Sequence, residues 1–410
     1  MRSAPIRALW PLSLCMCASD PTTTAAPKPE PAPAAPPTLT VRATGDLLPH
    51  AQVKRRALEL GEGATGWVTL LHDVGEKLAE ADIAMVNLES PLWDGTPPVA
   101  KAMHFYAPPG LAQGLKAVGV DVVNVANNHA WDQGPRSVDA TLKLLEAEGL
   151  ATVGAGSNAD RARTPAIVER NGLRMAVLGA TRLLNESHNK GAASPNVWFL
   201  REASELEAPI RAARAAGANW IVLNLHHDVE YQHQPSAASV AFAAGLLDAG
   251  VDLIVGHHPH VVQPISHRRT PDGRDAYIAW SLGNLFSAQG FGTASSNAPE
   301  ARPNTREGAI LDVQLQIDQG VPKVTHIGGI PTFTMHQPEH CDTANPRRPE
   351  VWTLATLTAQ ARDAARFGGT TCLSTYEAHQ RHVLEVLAAP VTSSLGRNPV
   401  PFQPIVVSSR

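Results

Sequence analysis

The chain contains no run of eighteen or more apolar residues, so no internal membrane-spanning helix is expected. It also lacks a basic surplus. Its 34 Lys and Arg stand against 38 Asp and Glu, a net charge of −4, which argues against a general nucleic-acid binder. Cysteine is scarce: Cys15, Cys17, Cys341 and Cys372 are the four, and none has the pair-of-pairs spacing of a zinc knuckle. Charged residues make up 18% and hydrophobic residues 43% of the 410, which excludes global disorder and fits one large α/β domain with extensions. Histidine, by contrast, is plentiful. There are seventeen, several of them beside acids and asparagines.

Residues 1–20 carry Arg2 and Arg7 and then an apolar stretch from Ala8 to Cys17 interrupted by Pro11, the pattern of a short signal segment. Export is therefore expected, with plain cleavage and lipid modification at Cys15 or Cys17 both left open. Residues 21–38 are rich in proline and alanine and nearly uncharged. They cannot bury a core and read as an extended tether. The main domain is expected over 39–337. Residues 338–410 read as a C-terminal extension with helices over Thr353–Arg366 and Thr375–Leu387 and no recognisable chemistry. Removal of the leader would leave Cys341 and Cys372 as the mature chain's cysteines, and an oxidising compartment would pair them.

Between these ends, short β-rich runs alternate with helical stretches. Strands are expected over Leu39–Thr44, Ile83–Asn87, Val120–Val125, Trp220–Leu225 and Val251–Val255, and helices over Ser137–Glu148 and Ser236–Ala249. Asn171-Gly172 marks a hairpin, and antiparallel strands are expected later, over Gly308–Ile317 and Val324–Ile330. Five of the apolar runs end in metal-ligating residue types. They lead into Asp46, into Glu89 beside Asn87, into Asn127-Asn128-His129, into His226-His227-Asp228, and into His257-His258-Pro259-His260. Parallel strands of one open sheet would bring such ends to one edge, where α/β proteins bind ligands. So many polar groups are costly to bury together without a cation. Carboxylate, amide and imidazole without thiolate suit ions of the Mn, Fe or Zn class.

Thr44-Gly-Asp46, Asn87-Leu-Glu89, Ala126-Asn-Asn-His-Ala-Trp-Asp-Gln-Gly134, Gly154-Ala-Gly156, Gly256-His-His-Pro-His260 with Gln263, and Ser281-Leu-Gly-Asn284 occur in an order that resembles the CapA family of poly-γ-glutamate capsule proteins. That family looks like a branch of the calcineurin-like metallophosphatase superfamily. The resemblance implies an α/β fold of the α+β sandwich kind, a four-layer αββα arrangement, here with a C-terminal helical extension. It implies two divalent ions on Asp46, Glu89, Asn128, His226, His258 and His260, with Glu89 in the bridging place. His129 takes the place of a general acid. Asp132 either orients the His129 imidazole or caps the helix that begins near Pro135. Two positions depart from the pattern. The superfamily places a histidine two residues after the first acid, where this chain, like the CapA pattern, is apolar at Leu48. His227 and Asp228 replace the Trp-Gly that often follows the lone metal histidine, and they stand as added donors or solvated bystanders.

The implied activity is metal-dependent hydrolysis or transfer at phosphate ester or amide linkages in capsule or surface-polymer synthesis. The competing reading is a non-catalytic accessory protein that anchors or guides an anionic polymer. The expected partners are that polymer or a phosphorylated or amide-linked substrate and a capsule synthesis complex, with no nucleic acid, and with the membrane reached only through an N-terminal lipid anchor. The expected location is the cell envelope, outside the cytoplasm. His257 reads as structural, His50, His72, His104 and His233 as surface residues, and Asn284 as a candidate substrate contact. Ser281 has no base partner in sequence and is rejected as a nucleophile. Limited proteolysis is expected to trim residues 21–38 and leave a stable core starting near residue 39, as read by mass spectrometry of the fragment.

Overall fold

The computed structural model describes residues 37–93, 101–189, 194–290, 304–335, 350–362, 370–392 and 403–404. Two β-sheets face each other. In the first, Thr38–Leu47, Ile83–Leu88, Val122–Asn124 and Ala151–Val153 run parallel side by side. Glu307–Asp318 continues this sheet antiparallel on the other side of Thr38–Leu47, followed by Val321–Met335 and Glu350–Thr353. In the second, Leu173–Thr181, Trp220–His226, Leu253–His257 and Asp275–Ala279 form the parallel centre. Ala166–Arg170 pairs antiparallel with Leu173–Thr181 across the Asn171-Gly172 turn, the hairpin expected from the sequence.

The near-continuous apolar runs reflect sheets buried on both faces. Alternate side chains point opposite ways along a strand, and they divide here between separate cores. Ile83 and Met85 join Leu39, Val41, Val222 and Leu253 in the core between the sheets. Ala84, Val86 and Leu88 instead meet Val53, Trp67, Val74, Leu111 and Leu145 from the helices that cover the first sheet. Ile221, Leu223 and Ile254 meet Ile210, Val240 and Leu246 from helices Glu207–Ala215 and Ala237–Asp248 outside the second sheet. The layer order is helix, sheet, sheet, helix, as the family resemblance implied. Among the described residues, no helix is long and apolar enough to cross a membrane.

Two glycines let the strand ends approach closely. A Cβ on Gly45 would lie 2.0 Å from the Gly283 carbonyl oxygen, and one on Gly256 would lie 1.9 Å from that of Trp280. Both contacts are with backbone, which cannot move aside, so these positions require hydrogen in place of a side chain.

The C-terminal helices Leu354–Arg362 and Thr370–Ala388 place Leu354, Leu357, Tyr376, Val383 and Leu387 in the core between the sheets. Cys372 is buried and disulfide-bonded, while Cys341 lies outside the described residues. The sequence had offered no chemistry in this region, and the structure corrects that. His379 Nδ1 and His382 Nδ1 lie 2.6 and 2.8 Å from the two oxygens of Glu307, which is fully buried at the start of a strand of the first sheet. The spacing of three puts both imidazoles on one face of the helix. Glu307 was not legible as a partner because it stands more than 70 residues away in the chain.

Burial by itself would raise the Glu307 carboxyl. The hydrogen bonds from His379 and His382 outweigh it and hold the group below the ordinary glutamate range. A carboxyl with a lowered folded pKa adds stability above its unfolded pKa, about 4.3, and loses it as pH falls through the lower folded value. Glu307→Ala is expected to cost about 3–5 kcal/mol at neutral pH, as for other broken buried pairs. In denaturant unfolding at a series of pH values, the gap between wild type and variant should narrow on the acid side.

Candidate metal centre

The five donor-bearing strand ends do meet, but from two sheets and not along the edge of one. Thr38–Leu47, Ile83–Leu88 and Val122–Asn124 deliver Asp46, Glu89 and Asn128 from the first sheet. Trp220–His226 and Leu253–His257 deliver His226 and the His258-Pro259-His260 turn from the second. Facing sheets present donors from opposite sides, so a cation there can be enclosed.

Asp46, Glu89 and His226 have no solvent exposure, and Asn128, His258 and His260 are buried. Three overlapping groups bring their ligand atoms within 4.8 Å of one another: Asp46, Glu89 and His260; Glu89, His226 and His258; and Glu230, His258 and His260. Glu89 is common to the first two. Its Oε1 lies 3.7 Å from His226 Nε2 and 3.8 Å from His260 Nε2. These separations are too long for hydrogen bonds. They fall within the span of two ligands on one ion, since bonds of about 2.0–2.2 Å allow donors up to roughly 4.4 Å apart. Asn128 Oδ1 is 2.9 Å from His226 Nε2, so the amide joins the second group.

Both carboxylate oxygens of Glu89 are buried without a hydrogen-bond partner, as are His226 Nδ1 and His258 Nδ1. Burial, with Asp46 beside it, pushes the Glu89 carboxyl well above its ordinary range. A bare carboxylate in such a place is stable only beside positive charge. Burial pushes the imidazoles the other way. His226 is held well below its ordinary value, and His258 falls to about 3, with His260 adding to the effect. Both are therefore neutral near pH 7, the form that ligates metal. Burial would raise Asp46 too, but His257 and His260 beside it outweigh that and keep it well below the usual carboxylate range. The residues present fit a divalent cation.

The surrounding groups aim these donors. Asn87 Nδ2 donates to Asp46 Oδ1 at 2.7 Å, and Asn124 Nδ2 donates to Asn87 Oδ1 at 2.9 Å. The His258 backbone N–H donates to Asp46 Oδ2 at 3.0 Å, which ties the histidine turn to the first strand. His258 and His260 both have positive φ, 99° and 59°, a backbone state that costs about 1–3 kcal/mol and persists only where its surroundings impose it. Asn284 does not serve as a free substrate contact. Its Oδ1 faces His260 Nδ1 at 3.1 Å, and its Nδ2 donates to the Thr305 carbonyl at 2.9 Å. That leaves His260 Nε2 as the nitrogen turned toward Glu89. His257 lies with Nδ1 3.2 Å from Asp46 and Nε2 3.3 Å from Asn224 Oδ1.

His129 sits next to this cluster. Its Nδ1 meets Asp132 Oδ2 at 2.8 Å, both residues are buried, and the Phe105 N–H donates to the same carboxylate oxygen at 2.7 Å. Of the two roles open to Asp132, this geometry is orientation of the imidazole, with Nδ1 as the protonated nitrogen. Phe105 packs on the His129 ring at 4.5 Å and His50 on Phe105 at 4.7 Å.

Several sequence readings change. His227 meets Ser239 Oγ at 3.3 Å, and Asp228 accepts from the Ser236 N–H at 3.0 Å, so neither is an added donor at the cluster. The acid that does come near the cluster is Glu230, four residues past His226, which groups with His258 and His260 within 4.8 Å. His72 is exposed as expected, but His104 is half-buried with Nδ1 donating to the Asp132 carbonyl at 2.7 Å, and His233 is half-buried with Nδ1 donating to that of Val262 at 2.8 Å. Asn185 also escaped the sequence reading. It accepts from Asn128 Nδ2 at 3.4 Å, and its Nδ2 stands 3.5 Å from the His129 ring nitrogens. It follows Leu173–Thr181, a sixth parallel strand end whose Thr181 pairs with His226. A scan past that strand end would have found it.

The family model described as "Bacterial capsule synthesis protein PGA_cap" matches residues 40–289, and the chain belongs to that family. Capsule biosynthesis protein CapA of Bacillus anthracis is 31% identical over 299 residues, covering 70% of this chain and 69% of that one. PGA biosynthesis protein CapA of Bacillus subtilis is 31% identical over 217 residues, and the match spans about half of each chain, 53% of this one and 52% of the relative. Among solved structures, the calcineurin-like phosphoesterase YfkN from Bacillus subtilis aligns over 85% of this chain and 98% of that chain at 15% identity, with a TM-score of 0.41.

Protein purified without chelator is expected to contain divalent metal by elemental analysis, and the double variant His258→Ala, His260→Ala to lose it. Equal, near-zero metal in both would overturn the site.

Proposed function

We propose that the protein is a metal-dependent hydrolase or transferase acting on phosphate ester or amide linkages, at work outside the cytoplasm in making, exporting or anchoring an anionic polymer of the poly-γ-glutamate kind. The observation that carries this reading is Glu89, a fully buried carboxylate with no hydrogen bond, shared by two donor groups and adjacent to the His129–Asp132 pair. Asp46, Glu89 and His260 would hold one ion, and Glu89, Asn128, His226 and His258 the other, both of the Mn, Fe or Zn class. When bound, such a pair supplies Lewis-acid polarisation of the scissile group and activation of water.

The chain's own residues supply the rest. Asp132 accepts the Nδ1–H of His129 and would stabilise the imidazolium, which delivers its Nε2 proton to a leaving group and returns to the neutral ring. Phe105 fixes this pair from both sides, with its ring on the imidazole and its N–H on the carboxylate. The polymer assignment draws on the names of the capsule-synthesis relatives. Export draws on the leader pattern and on the disulfide at Cys372, a bond that persists in oxidising compartments. One observation favours the accessory reading instead: Leu48, 1% exposed, occupies the place of a donor histidine.

His129→Ala is expected to keep its metal and lose about 10²–10⁴-fold in turnover, measured on phosphodiester and γ-glutamyl amide substrates, with chelator abolishing the wild-type rate. Full activity in the variant would refute the role of His129. A metal-loaded wild type inert on both substrate classes would leave the anchoring role.

A further inference from the structure

The two donor groups that share Glu89 are unequal. Glu89, Asn128, His226 and His258 make four protein donors, whereas Asp46, Glu89 and His260 make three. The position that could complete the second set from the first strand is closed. Leu48 is buried and apolar, and its N–H donates to the Phe286 carbonyl at 2.9 Å, so it offers no ligand.

Glu230 stands beside the His260 end of this three-donor set. Its Oε1 lies 3.9 Å from His260 Nε2, nearly the 3.8 Å that separates the same nitrogen from Glu89. Its carboxylate also groups with His258 and His260 within 4.8 Å, at the boundary between the two sets. The side chain is 42% exposed, at the open side of an otherwise buried cluster.

The segment that carries it is fastened to the histidine turn along its length. The Tyr231 N–H donates to the Pro259 carbonyl at 2.8 Å, Gln263 Nε2 donates to the Gln232 carbonyl at 2.8 Å, and His233 Nδ1 donates to the Val262 carbonyl at 2.8 Å. Asp228 at the other end accepts from the Ser236 N–H, and both Asp228 and Tyr231 have positive φ, 81° and 62°. A surface acid on a loose loop would lose much conformational entropy on binding an ion. This one is placed in advance. Charge points the same way. Asp46 and Glu89 offset only half of two divalent cations, and a third carboxylate would bring the largely buried centre closer to neutrality.

We infer that Glu230 is a ligand of the ion held by Asp46, Glu89 and His260, supplying the donor that Leu48 does not. This rests on the two-ion reading of the site. With its Glu230 ligand 42% exposed, that ion would be the more exposed of the two and the first to exchange with solvent.

The test is Mn²⁺ titration of the full mature chain after metal removal, by calorimetry and by electron paramagnetic resonance, for wild type, Glu230→Gln and Glu230→Ala. Wild type should bind two equivalents and give the spin-coupled signal of paired ions. Both variants should keep the first equivalent and bind the second at least about 10–100-fold more weakly, the loss that follows removal even of an outer-shell partner. Their paired-ion signal should disappear at metal levels that saturate wild type, while thermal melting without metal stays as in wild type. Two equivalents of unchanged affinity in both variants would overturn the inference and leave the two-ion reading standing. A wild type that binds one equivalent or none would overturn both.

Discussion

The centre of this molecule is organised around a carboxylate that the protein leaves without a hydrogen bond. Glu89 is fully buried, and neither oxygen has a partner among the described residues. In a low-dielectric interior such a group is unstable as an anion unless positive charge stands next to it. The neighbouring histidines do not provide that charge, since burial keeps His226 and His258 neutral. They provide lone pairs instead, and a cation is what answers carboxylate and imidazole together.

The rest of the fold is arranged so that this cluster cannot relax. Two parallel sheet centres face each other, and strand ends from both reach the same point. Gly45 and Gly256 allow the backbones to come within contact distance. The positive-φ residues His258 and His260 make a turn that brings one histidine into each of the two groups that share Glu89, and the His258 amide bonds back to Asp46. A chain of amides through Asn124 and Asn87 holds Asp46 from the other side. Farther out, His379 and His382 tie the C-terminal helix to Glu307. Glu307 lies two residues after Thr305, whose carbonyl takes the Asn284 amide that orients His260. The C-terminal helix is thus a buttress for the strand behind the site.

Much of this was readable before any coordinates. Strand positions follow from apolar runs, because sheets buried on both faces need apolar side chains on both. The donor residues follow from polar types at the ends of those runs. The observed strands overlap the expected ones but differ at their ends: Leu39–Thr44 lies inside Thr38–Leu47, Val120–Val125 shortens to Val122–Asn124, and Val251–Val255 shifts to Leu253–His257. Other features were not readable. A single strand end does not reveal which sheet it belongs to, so the gathering of donors along one edge was the natural expectation, and the facing of two sheets came only from the fold. His227 and Asp228 resemble Glu230 in type and lie nearer to His226, yet the positive φ of Asp228 turns the chain so that Glu230 reaches the cluster. Glu307 was hidden among the residues of a strand expected to begin one position later.

The sequence by itself determined which residues could be ligands, since carboxylates, imidazoles and amides stand at the ends of the apolar runs, and it determined the strands through those short, near-continuous runs. Only the tertiary structure decided which of those residues share an ion. Distances such as the 3.7 and 3.8 Å from Glu89 to His226 and His260 join positions more than 130 residues apart. They exist because two sheets pack face to face across a common core, and no local spacing encodes that packing.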